Sequence, residues 1–298
     1  LLILAIGVSA LGLVGTDWTS KGFLSIENVY TALPRWVNDI PRSVGDGGIN
    51  SNIIGGGLTF FLPLLASLLW QNKSFDFKTM KKDGQSSKFL LILFKVLLVL
   101  AFLLVTFTLI LTQSRGSYLG AVLGVLVLAI TRDRRYLWGI PLFLLLFLTI
   151  LQRTAQGDIK VFIDIIDTTR GGTLPGRLET WQRALLLIQD FPFTGAGAGT
   201  FSPITNIIYP YFNFSNPHVP HAHNMILTVA VDLGLPALVL YSALITSFVV
   251  MVIKTAKKAN PAVKAILIGL GCGVLAHQVF GIMDAYMLGT KLGAIMWI

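Results

Sequence analysis

Runs of apolar residues about as long as a bilayer is thick decide what this chain can become. Between Phe89 and Thr112 the one charged side chain is Lys95, and comparable stretches recur along the sequence. A helix needs roughly twenty apolar residues to cross about 30 Å of hydrocarbon, where backbone polar groups must be satisfied internally. The pattern predicts about eight spans, near 1–16, 52–70, 88–112, 117–131, 136–151, 225–253, 262–283 and 285–298. Composition agrees: 54% of residues are hydrophobic and 12% charged, with mean hydropathy +0.74. A water-soluble globule with those values would lack the polar surface to cover its core. The expected fold is all-α, a polytopic transmembrane helix bundle forming one domain over 1–298. The chain starts at Leu1 inside one apolar run and stops at Trp297-Ile298 inside another, which reads as a piece of a longer protein.

Charge sets the direction of the spans. The net charge is +9, but the basic residues lie in short clusters between apolar runs: Lys73, Lys78, Lys81 and Lys82; then Arg132, Arg134 and Arg135; then Lys254, Lys257 and Lys258. Such clusters mark cytoplasmic loops facing anionic lipid, so membrane lipids and not nucleic acid are the expected polyanion. If every span is real, all three clusters fall on one side. The opposite side then holds 17–51, the tight turn 113–116 and a polar loop of 152–222. In that loop Arg153, Lys160, Arg170, Arg177 and Arg183 are balanced by Asp158, Asp164, Asp167, Glu179 and Asp190, as suits an extracytoplasmic segment. The single Cys272 sits in an apolar run and is read as packing.

The residues able to carry chemistry gather on that outer side. Arg115 stands between two apolar runs, beside Gly116 and flanked by Ser114 and Ser117. Taken plainly it is a snorkelling interfacial arginine; with partners it is a permanently charged, bidentate grip for phosphate. In the long loop Leu178, Trp181, Leu185 and Ile188 recur at helical spacing between Pro175-Gly176 and Pro192, which predicts an amphipathic helix over about 176–190, lying on the membrane or on the bundle. Arg177 falls in its first turn, where a cation opposes the helix dipole. A phosphate shared with the N–H groups of that turn explains it; a solvent-facing or headgroup arginine is the plain alternative. Gly195, Gly197 and Gly199 look like a phosphate loop, but no strand precedes them, so a close-packed irregular backbone is expected instead. His218, His221 and His223-Asn224 lead into the next span. With no carboxylate or cysteine nearby in sequence, no metal is expected there, and His223 is read as a general base. His277 and Asp284, seven apart near the outer end of a span, are either a buried polar pair or support for a catalytic group.

Ser-Arg-Gly at 114–116, Gly176-Arg177 followed by Trp181, the Gly-x-Gly-x-Gly-x-Phe run at 195–201 and His223-Asn224 together resemble the O-antigen ligase and polymerase family of bacterial envelope glycosyltransferases. The ligase pattern is met at His223, Asn224 and Gly234 and departs at Ala237. The resemblance covers about 50–298. It implies a GT-C-like bundle with a large extracytoplasmic loop containing short helices, in the bacterial cytoplasmic (inner) membrane. It also implies a metal-independent, inverting enzyme with no cofactor, working at the periplasmic face on a polyprenyl-diphosphate-linked glycan. Lipid A core, a growing polysaccharide or a protein would be the acceptor. By position Arg115 and Arg177 would bind the diphosphate and His223 would activate the acceptor hydroxyl. Ser114, Ser117, Trp181, Asn224 and His221 would contact donor or glycan. A transporter of a small solute, a label attached to a bicarbonate-transporter-like branch of the same family, is the reading from another class.

Overall fold

The structure is a computed structural model, and it describes residues 1–16, 18, 29, 49–70, 86–141, 145, 174–211 and 219–285. Eight α-helices occur among the described residues: α1 (Leu2–Gly15), α2 (Ser51–Trp70), α3 (Ser86–Leu111), α4 (Arg115–Arg132), α5 (Leu174–Asp190), α6 (Phe201–Ile208), α7 (Met225–Lys258) and α8 (Pro261–Met283). A short 3-10 turn, Arg134–Trp138, follows α4. No strand is found among these residues, only one isolated bridge between Thr16 and Ile49.

The chain is thus an all-α membrane bundle. Helices α2, α4, α7, α8 and the Phe89–Leu111 part of α3 are long and apolar enough to cross a bilayer, and α1 is a shorter apolar helix. The predicted span 136–151 opens as the 3-10 turn, and most of it lies outside the described residues, as does 286–298. Helix α8 packs against α2 and α4. Small residues permit this closeness: a Cβ on Gly120 would meet the Ala276 carbonyl at 2.4 Å, and one on Gly273 would meet that of Phe60 at 2.4 Å. Where lipid competes for apolar side chains, such van der Waals contact between backbones is what holds helices together. One core joins α1–α4 and α8 around Ile54, Leu58, Phe61 and Val105. Apolar side chains such as Leu100 on α3 and Leu240 on α7 point outward, as befits a protein with hydrocarbon as its solvent.

A second, smaller core lies in a cap at one end of the bundle, built from Ala184 and Leu187 of α5, Phe201 of α6, Ala222, and Val231 of α7. The predicted helix over 176–190 is α5; of its apolar stripe Ile188 packs on the cap core, and a second face of small residues is buried beside it. Leu178 and Leu185 are 48% and 51% exposed, while Gly176, Thr180, Ala184 and Leu187 are buried. Small side chains at 176 and 184 let α5 lie close to its neighbours. The same face buries an ion pair, Arg183 to Glu179 at 2.8 Å. Arg183 also donates to the Pro210 carbonyl and lies over the Tyr211 ring, so the desolvated charge is compensated.

Helix α7 breaks at Gly234 (φ 84°, ψ 171°), and the glycine loop fills the break. Leu235 N–H leaves the helix to donate to Pro192 O, and the Val231 carbonyl it abandons accepts from Ala196 N–H. Pro236 has no N–H for the Asp232 carbonyl, which accepts from Gly197 N–H instead. Gly195, Gly197 and Gly199 all have positive φ. A Cβ on Gly195 would lie 2.6 Å from the Asp232 backbone, so no other residue fits there. The sequence-based expectation of a close-packed irregular backbone describes this loop.

Candidate active site

Four elements converge on three consecutive residues at the end of α8, Ile282-Met283-Asp284. Asn224, the N-cap of α7, accepts from Leu227 N–H and donates from Nδ2 to Ile282 O at 3.1 Å. Arg177, in the first turn of α5, places Nη1 3.8 Å from Met283 Sδ. Gly116, in the first turn of α4, is pressed against Met283, with an added Cβ 3.0 Å from that of Met283. It follows Arg115, whose guanidinium lies within electrostatic reach of that of Arg177. Two cations thus stand within electrostatic reach of each other at the positive ends of two helices, an arrangement that suits an anion.

Asp284 ends α8 in extended conformation and is 8% exposed. Its Oδ1 faces His223 Nδ1 at 3.0 Å and His221 Nε2 at 4.0 Å, and accepts from Ala285 N–H. Its Oδ2 accepts from Asn52 Nδ2 at 3.1 Å. Burial alone would raise the carboxyl, but the His223 hydrogen bond and the two imidazoles outweigh it and hold it below the ordinary carboxylate range. An ionised carboxylate can only accept, so His223 carries its proton on Nδ1 and presents the Nε2 lone pair. His223 has φ 48°, a left-handed conformation uncommon outside glycine. That turn brings its backbone N–H onto His221 Nδ1 at 3.1 Å. The proton of neutral His221 is therefore on Nε2, toward Asp284. Burial first, and the neighbouring His223 second, push His221 down to about 4.

The sequence-based argument against a nearby carboxylate does not hold in space. His221, His223 and Asp284, separated by about sixty residues, offer metal-ligating atoms within 4.8 Å of one another. His223 hydrogen-bonds the carboxylate and His221 faces it at 4.0 Å without a hydrogen bond, and a metal here would have to replace the protons on those nitrogens.

The other predicted residues sort as follows. Ser117 Oγ donates to Ser114 Oγ at 2.8 Å, both buried, with Gly55 packed against Ser117; the hydroxyls brace the start of α4 from within. Trp181 follows Arg177 by one turn, and its indole N–H is buried with no hydrogen bond among the described residues. His277 is buried in the bundle with Nδ1 3.2 Å from Gly56 O, while Asp284 alone of that pair reaches His223. His218 lies outside the described residues. Asn52 escaped sequence reasoning; a polar amide in the first turn of an apolar span was the available signal.

Comparison with curated proteins gives no match. The family match carries no support for the transporter alternative. Residues 98–242 match the family model described as O-Antigen ligase, a stretch holding Arg115, Arg177, His221, His223 and Asn224, so this multi-pass membrane chain carries there a domain of the O-antigen ligase and polymerase family of glycosyltransferases.

Proposed function

We propose that the chain transfers a glycan from a polyprenyl diphosphate to an acceptor hydroxyl at the outer face of the bacterial cytoplasmic membrane, without a metal. The observation that carries this is the His223–Asp284 hydrogen bond of 3.0 Å, which leaves Nε2 of an oriented imidazole as a base beside two arginines. The acceptor oxygen attacks the anomeric carbon as its proton passes to His223 Nε2. The bond from that carbon to the diphosphate oxygen breaks, its electron pair staying on the diphosphate, where Arg115 and Arg177 offset the charge. A single displacement inverts the anomeric configuration. In this reading the two arginines do what a divalent cation would do for the leaving group.

The outward orientation rests on charge. The site lies where α2, α4 and α7 begin and α8 ends, whereas Arg132, Lys254, Lys257, Lys258 and Lys264 lie at or near the opposite helix ends, the side retained in the cytoplasm. Lipid A core, a growing polysaccharide and protein remain the acceptor classes, and one experiment opens the way to them. Transfer from a polyprenyl-diphosphate glycan is measured for the full chain in membranes, with and without EDTA. Wild-type transfer is expected to survive EDTA. His223→Ala is expected to lower turnover by on the order of 10²–10⁴-fold, and Arg177→Ala to abolish transfer with insertion intact. Undiminished transfer by a correctly inserted His223→Ala protein would end this reading.

A further inference from the structure

We infer that Asn52 is a positioning residue of the transfer site, fixing the Asp284 carboxylate so that one oxygen is committed to the histidines; this rests on His223 being the base. A carboxylate held by one oxygen can swing about its Cβ–Cγ bond, and the imidazole bonded to it swings too. Here Oδ1 is engaged by His223 and Ala285 N–H, and Asn52 Nδ2 takes Oδ2 at 3.1 Å. The two oxygens are pulled from different elements, so the plane of the carboxylate is set, and with it the direction of the His223 ring.

Asn52 is itself aimed. Asn50 Oδ1 accepts from Asn52 N–H at 2.8 Å, and Asn50 O accepts from Ile53 and Ile54 N–H, which secures the first turn of α2. Below that turn the α2–α8 spacing leaves little room to vary, since a Cβ on Gly273 or on Gly269 would already overlap α2. The Asn52–Asp284 distance is therefore built into the bundle. Asn52 and Asp284 both lie outside the family-matched residues 98–242, so the base sits in the matched domain and its orientation is supplied from either side of it.

The test compares wild type, Asn52→Ala, Asn52→Gln, Asp284→Asn and the Asn52→Ala/Asp284→Asn double variant, in the full chain, by turnover and by KM for the polyprenyl-diphosphate donor. A ring displaced by about an ångström loses on the order of 10²-fold in turnover. Asn52→Ala is expected to show a loss of that order with donor KM unchanged, and Asn52→Gln, which keeps the amide, to recover part of it. The double variant is expected to be no slower than Asp284→Asn alone, because both changes act on one carboxylate. Thermal unfolding in detergent separates a poorly folded variant from a slow one. Wild-type turnover in Asn52→Ala, losses that multiply in the double variant, or a loss carried by donor KM would each overturn the inference. If His223→Ala transfers normally, it is the function that falls; if His223→Ala is dead and Asn52→Ala is normal, only the role of Asn52 falls.

Discussion

His221 is a histidine held neutral by its surroundings, and that has a price in acid. Unfolded, its imidazole protonates near 6.5; folded, only near 4. Between those values the unfolded chain binds more protons, so stability rises with pH across the window and is lost on acidification. The Asp284 carboxylate, held below its ordinary range, acts in the same direction at lower pH: its contribution is present above the ordinary carboxylate value and lost as pH falls through the folded one. The apparent thermal midpoint is therefore expected to drop between pH 6.5 and 4, and His221→Gln to flatten that drop; equal slopes for the two proteins would contradict it. At this scale the sequence was legible in placement: it set His223 just before a span and Arg177 in the first turn of a helix, and both stand there. It offered Asp284 as support for a catalytic group but not its partners, since His223 and Asn52, 61 and 232 residues away from it, leave no local pattern.

Among the elements, the spans were readable because hydrocarbon imposes a length and a composition on them. The cap was readable only in part. Periodicity located α5 and its apolar stripe, but not the face that meets the cap, because the contact there uses Gly176, Thr180 and Ala184 with a compensated charge pair, and a small residue has little hydropathic signal however tightly it packs. The kink in α7 at Gly234, before Pro236, was not read from the unbroken apolar run, and neither was what it exchanges hydrogen bonds with. That exchange makes a prediction. A Cβ on Gly234 would lie 2.4 Å from Phe193 O at φ 84°, so Gly234→Ala should destabilise the cap by about 1–3 kcal/mol or more. Limited proteolysis within 191–200 is expected to accelerate, with transfer falling in parallel. Unchanged proteolysis would mean that the loop does not depend on the break.

For the whole molecule, the separation of the arginine and histidine end from the basic end calls for a direct reading of sidedness. Cys272 is the single cysteine and is buried, so a Cys272→Ser background allows exposed positions to be labelled one at a time. On intact cells a membrane-impermeant maleimide is expected to label Ala198→Cys and to spare Lys257→Cys until the membrane is opened; the reverse pattern would put the site in the cytoplasm. The break at Gly234 then acquires a further meaning. The part of α7 beyond it, residues 235–258, is about 36 Å long at 1.5 Å per residue, close to the roughly 30 Å of hydrocarbon. On the proposed function, a donor moored by its own lipid tail offers its diphosphate at one altitude only. The broken helix would then act as a ruler for that altitude, holding His223 where a moored substrate can reach it by drifting sideways.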